Sequence, residues 1–130
     1  MESIEHIGIA VENEAASVEL FNKLLGKQPY KMEEVEKDGV KTIFYALGDT
    51  KIELLVPTRP DSPIQKFLDK KGPGIHHIAF GVNKINLQLE NLEGLGFELI
   101  DKTARLGADN KSVAFLHPKS TAGVLVEICE

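Results

Sequence analysis

The run His6-Ile7-Gly8-Ile9-Ala10-Val11 returns in the second half of the chain as His77-Ile78-Ala79-Phe80-Gly81-Val82. Both runs alternate as strands do. In the first, Ile7, Ile9 and Val11 take one face while His6, Gly8 and Ala10 take the other. In the second, His77, Ala79 and Gly81 share a face and Ile78, Phe80 and Val82 lie opposite, so each histidine sits on a face lined with small residues. A one-residue slip would exchange the faces, which makes the matched parity evidence for a repeat. Each run leads into a helix-like segment and later into an apolar stretch interrupted by a glutamate, Glu53 or Glu127.

Working outward from the first run, Asn13 is placed to cap a helix whose Val18, Phe21, Leu24 and Leu25 form an apolar stripe. Gly26 is placed to end that helix in the left-handed region, and Pro29 blocks continuation. Tyr30 to Val35 reads as a weak strand. Val40 to Leu47 and Lys51 to Val56 read as two more, joined by a tight turn at Gly48-Asp49-Thr50. Residues 58–73 form a connector, in which Asp61-Ser62-Pro63 starts a short helix through Lys70 and Gly72-Pro73-Gly74 stops it. The second run is followed by an amphipathic helix from Lys84 to Leu95, with Ile85, Leu89 and Leu92 facing inward, ended by Gly96. Phe97 to Lys102, Ser112 to His117 and Val124 to Cys129 supply three further strands. The expected fold is α+β. It consists of two tandem βαβββ modules, about 1–57 and 74–130, forming a curved mixed sheet within a single domain spanning 1–130.

Bulk properties narrow the classes of function. With 130 residues, 42% of them apolar and 27% charged, the chain has material for one modest core. A net charge of -5 and a pI near 5.4 argue against nucleic acid or an anionic membrane as partner, because neither is bound without a basic face. Cys129 is the one cysteine, which excludes an internal disulfide and fits a reducing compartment. No apolar run approaches membrane-spanning length, and the first strand begins close to Met1, so the expected location is the cytoplasm.

The two glutamates carry the chemical argument. Each interrupts a strand otherwise suited to burial, and a buried carboxylate needs a partner, a metal or water. A single strand histidine is most simply a packed residue. Two histidines and two glutamates at corresponding places in two half-chains are what one divalent metal site with nitrogen and oxygen ligands would need. His76 has the opposite parity and is expected to be structural. His117, before Pro118, reads as a turn or rim residue, and Cys129 has no activating base beside it in the sequence.

These residues also carry a resemblance. Glu5-His6-Ile7-Gly8-Ile9-Ala10-Val11, Leu47-Gly48-Asp49-Thr50-Lys51-Ile52-Glu53-Leu54-Leu55, Asp61-Ser62-Pro63-Ile64, Gly74-Ile75-His76-His77-Ile78-Ala79-Phe80 and Ala114-Phe115-Leu116-His117-Pro118-Lys119-Ser120, running into Gly123-Val124-Leu125-Val126-Glu127, resemble the vicinal oxygen chelate superfamily. Within it, the match is nearest to the methylmalonyl-CoA epimerase family. The resemblance covers essentially the whole chain. It implies that His6, Glu53, His77 and Glu127 ligate one divalent ion, whether Co, Mn, Ni or Zn, in a cleft between the modules. It implies an acyl-CoA substrate and a homodimer.

The implied reaction interconverts the 2R and 2S forms of methylmalonyl-CoA. A base removes the acidic C2 hydrogen, the metal stabilises the enolate oxygen, and an acid returns a proton to the other face. Glu127 is the implied acid-base on one side. For the other, some epimerases have a glutamate at the position held here by Thr42, which cannot serve. Glu53 is the first candidate in its place, ahead of an ordered water or Glu33, Glu34 or Glu36. Lys111 and Lys119 are candidates for the substrate carboxylate or CoA phosphates, although Asp109-Asn110 stands where epimerases often show His-Gly. Glyoxalase I (lactoylglutathione lyase) would require the same four ligands. Its usual Asn after the first metal glutamate is replaced here by Leu54-Leu55-Val56-Pro57, which favours the epimerase. A non-catalytic binding module is the third alternative, and such members often lose the metal residues that are all present here.

Overall fold

The computed structural model describes residues 1–130. They form two compact units, one of Ile7–His76 and one of Met1–His6 with His77–Glu130. No helix is long and apolar enough to cross a membrane. The element order is α+β, with both halves opening strand, helix, strand as the sequence predicts.

In the Ile7–His76 unit, the strands run in the order β2 (Lys31–Val35), β3 (Val40–Leu47), β4 (Thr50–Pro57) and the latter part, from Ile7, of β1 (Ser3–Ala10). The first three form an antiparallel meander whose register sets Thr42 opposite Leu55 and Phe44 opposite Glu53. Helix α1 (Glu14–Leu25) starts where the Asn13 side chain accepts from the Ala16 amide at 2.9 Å. It ends at Gly26, whose φ of 68° is a conformation a side chain would strain. Val18, Phe21 and Leu25 of α1 cover Val11, Ile43, Tyr45 and Leu54. Helix α2 (Pro63–Lys71), capped by the Ser62 hydroxyl on the Ile64 amide, brings Ile64 and Leu68 onto Ala10 and Leu55. Because Leu54 and Leu55 point oppositely, the two helices serve opposite sheet faces.

In the other unit the strand order is the first part of β1, up to His6, then β5 (Gly74–Gly81), β8 (Val126–Cys129), β7 (Ser112–Leu116) and β6 (Arg105–Leu106). Strands β5 and β8 are parallel, with Ala79 beside Glu127 and Gly81 beside Cys129. Helix α3 (Ile85–Gly94) sends Ile85, Leu89 and Leu92 against Val82, Ala114, Leu116, Val126 and Ile128. Glu127 and Cys129 therefore point to the face opposite α3, where Cys129 packs with Ala79 and Val113. Helix α3 has no side-chain cap at Lys84. Instead the Glu130 carboxylate accepts from the Lys84 and Ile85 amides at 2.8 and 3.1 Å. These two bonds hold the Glu130 carboxyl below its ordinary pKa.

Two of the strands expected in the second half differ. Phe97 to Lys102 is not a strand and makes only an isolated bridge between Leu99 and Leu116, while the short β6 at Arg105–Leu106 takes the edge of the sheet. The reason is a side chain that intercepts the ladder. The Phe115 amide donates to the Asp101 carboxylate at 2.9 Å, while the Ile100 and Asp101 amides both converge on the Phe115 carbonyl. The last strand starts at Val126 rather than Val124, whose carbonyl accepts from the Thr121 hydroxyl at 2.6 Å within the preceding turn.

Candidate metal centre

Strand alternation delivers the histidines as the repeat implies. On β1, His6, Gly8 and Ala10 are buried between half-buried Ile7 and Ile9, and on β5 His77 and Ala79 are buried beside half-buried Ile78 and Phe80. Glu127, on β8 next to β5, is buried with them at 6% exposure. Three donors converge here: His6, His77 and Glu127 offer ligand atoms within 4.8 Å of one another. The two Nε2 atoms are 3.0 Å apart. One Glu127 oxygen lies 3.3 Å from His77 Nε2 and the other 3.7 Å from His6 Nε2. The rings meet edge to face at 5.1 Å, and Phe115 closes against His77 at 5.6 Å.

The donor set fits a divalent cation. Two ligands about 2.1 Å from one ion stand about 3.0 Å apart at neighbouring octahedral positions, and somewhat further in a tetrahedron. The 3.0 and 3.3 Å spacings lie in that range, and the 3.7 Å spacing is a little wider. Two imidazole nitrogens this close can meet as N–H donor and acceptor or as two ligands of one cation.

Glu53 lies in the Ile7–His76 unit, on β4, at 5% exposure and opposite Phe44. Neighbouring Ile52, Leu54 and Val56 all belong to the face covered by α1, so the carboxylate points to the other face. Thr42 is buried as well, at 2% exposure. Glu33 is half-buried and pairs with Lys31 at 3.1 Å, while Glu34 and Glu36 are exposed. Lys119 is exposed and 3.8 Å from Glu98, and Lys111 is half-buried. His76 packs its ring on Phe67 at 5.0 Å, a structural role. His117 caps a turn at 118–120 through Nδ1, which accepts from the Lys119 amide at 3.2 Å.

Sequence reasoning passed over Glu5. Its carboxylate lies 2.9 Å from His6 Nδ1, and Glu5, His6 and Cys129 form a second group of potential ligand atoms. Neighbours on an ideal strand face opposite sides, so alternation gave no reason to pair them. The signal that could have found it is the acidic residue immediately preceding the histidine. The Cys129 thiol is buried and directed at the Phe80 carbonyl, 3.7 Å away.

Comparison with known proteins accords with this geometry. The profile of the Glyoxalase/Bleomycin resistance protein/Dioxygenase superfamily matches residues 5–115. An uncharacterized protein of Bacillus subtilis is 42% identical over 100% of this chain and 93% of its own. The mitochondrial methylmalonyl-CoA epimerase of Dictyostelium discoideum is 42% identical over 98% of this chain and 77% of its own. Among solved structures, a variant of Streptomyces coelicolor methylmalonyl-CoA epimerase in complex with 2-nitronate-propionyl-CoA superposes with a TM-score of 0.92. It is 33% identical, covering 99% of this chain and 94% of that one. The chain belongs to the methylmalonyl-CoA epimerase family, isomerases within the glyoxalase, bleomycin resistance protein and dioxygenase superfamily.

Proposed function

We propose that this chain is a metal-dependent epimerase that interconverts (2R)- and (2S)-methylmalonyl-CoA. The observation that carries the reading is the convergence of His6, His77 and Glu127, in a chain of this family, into one buried set of nitrogen and oxygen donors. These three residues hold a divalent ion. The fourth ligand, Glu53, rests on sequence correspondence alone. When bound, the ion supplies positive charge to the thioester oxygen on which negative charge develops as C2 loses its hydrogen.

The chain's own residues supply binding and proton transfer. Glu127 takes the C2 hydrogen as a proton on one face, its buried setting limiting competition from water. A second acid-base returns a proton to the opposite face, so that the hydrogen count is unchanged and the configuration inverts. Glu53 is the proposed second group, since Thr42 holds no titratable proton in the working range. Lys111 and Lys119 are proposed to meet the substrate's anionic groups. A homodimer belongs to the same proposal, and sedimentation equilibrium tests it.

The discriminating experiment is metal analysis of the purified protein, followed by deuterium incorporation at C2 of methylmalonyl-CoA in heavy water. Bound metal with exchange is expected. A protein that takes up no metal, or takes it up without catalysing exchange, sinks the reading, and turnover of a glutathione hemithioacetal would transfer it to glyoxalase chemistry.

A further inference from the structure

We infer that Glu5 is a positioning residue for the metal centre, locking the His6 ring so that its Nε2 lone pair faces His77 and Glu127. The inference rests on the reading of His6 as a ligand. Its observations lie on the other side of the ring. The Glu5 carboxylate is 2.9 Å from His6 Nδ1, and its side chain is only 13% exposed. An ionised carboxylate accepts and cannot donate. The proton therefore sits on Nδ1, and the Nε2 lone pair is left for the donor set, where His77 Nε2 stands 3.0 Å away.

The surroundings are shaped for this contact. A Cβ at Gly81 would come within 2.6 Å of the Ser3 hydroxyl, while Glu5 Cβ stands at an ordinary contact distance of 3.9 Å. Beside Gly81 in the sheet stands Cys129, with Ala79 and Val113 around it, which lowers the polarity next to the carboxylate. In such surroundings a carboxylate-to-imidazole hydrogen bond both fixes the tautomer and makes the remaining nitrogen a stronger donor. The Cys129 thiol is directed at the Phe80 carbonyl, 3.7 Å away.

The test uses Glu5→Ala and the isosteric Glu5→Gln, whose amide oxygen can still accept from Nδ1–H. Two quantities are read. The His6 tautomer is read from the ring nitrogen shifts of metal-free, histidine-labelled protein in mildly alkaline buffer, where imidazole is neutral. Co(II) affinity is read by chelator competition. Wild type is expected to hold the Nδ1–H form, and Glu5→Ala to populate both tautomers and bind Co(II) about 10–100-fold more weakly. Glu5→Gln should restore the tautomer and recover part of the affinity, which a merely structural loss would not do. An unchanged tautomer with affinity within about twofold of wild type in both variants overturns the inference. His6→Ala serves as the separate control: if it leaves Co(II) affinity intact, the ligand reading itself has failed, whatever Glu5 does.

Discussion

Replacing Glu127 with Gln keeps the size and shape of the side chain while removing its charge and its capacity to take a proton. In the structure its two oxygens face His77 Nε2 at 3.3 Å and His6 Nε2 at 3.7 Å. Two losses must be separated. Gln offers the ion a neutral oxygen in place of a charged one, so metal retention will fall. Loss of one general acid-base costs about 10²–10⁴ in rate, or about 3–5.5 kcal/mol of barrier. Both losses lower turnover, and epimerisation must therefore be measured at saturating metal, with loading verified. Under those conditions epimerisation should fall by about two to four orders of magnitude. Because the opposite face keeps its own acid-base, one epimer should still exchange its C2 hydrogen with heavy water while the other does not. A loaded Glu127→Gln protein that exchanges both epimers at wild-type rates would refute the assignment of Glu127 and move proton transfer to another group.

Leu89, fully buried at the centre of the α3 cluster, should cost about 3–5 kcal/mol when cut to Ala, lowering the melting temperature by about 10–15 °C. Scanning calorimetry checks this, and a fall below about 4 °C would mean that α3 is not anchored as described. The Glu130 carboxylate makes stability pH-dependent in a definite direction. Its folded pKa lies below the ordinary 4.5, so its contribution is present above that value and is lost as pH falls through the folded value. Melting curves of wild type and Glu130→Ala should therefore be separated at neutral pH and converge in acid. A gap that widens on acidification contradicts the cap.

What could be read from the sequence followed from strong local signals. Asn13, Gly26, Ser62 and Pro63 bound their helices where capping chemistry places them, and the matched parity of the His6 and His77 runs buried both rings. The segment after Gly96 was misread because its apolar alternation resembles a strand, whereas its fate turns on Asp101 taking the Phe115 amide. That bond depends on a tertiary neighbour, which periodicity does not report. The convergence of His6, His77 and Glu127 was foreshadowed by repetition, but Glu5 was not, since the rule of alternation itself argues against a bond between adjacent strand residues.

The cap that Glu130 places on α3 has a consequence for how the chain folds. At 10 residues, α3 is shorter than the roughly 12–15 needed for marginal stability in isolation, and its first amides find their acceptor only 45 or 46 positions further along. The helix should therefore consolidate together with the β8 segment, across a long loop closure. Amides of α3 and β8 should open and exchange together as one cooperative unit, while α1, capped by its immediate neighbour Asn13, is free to form early.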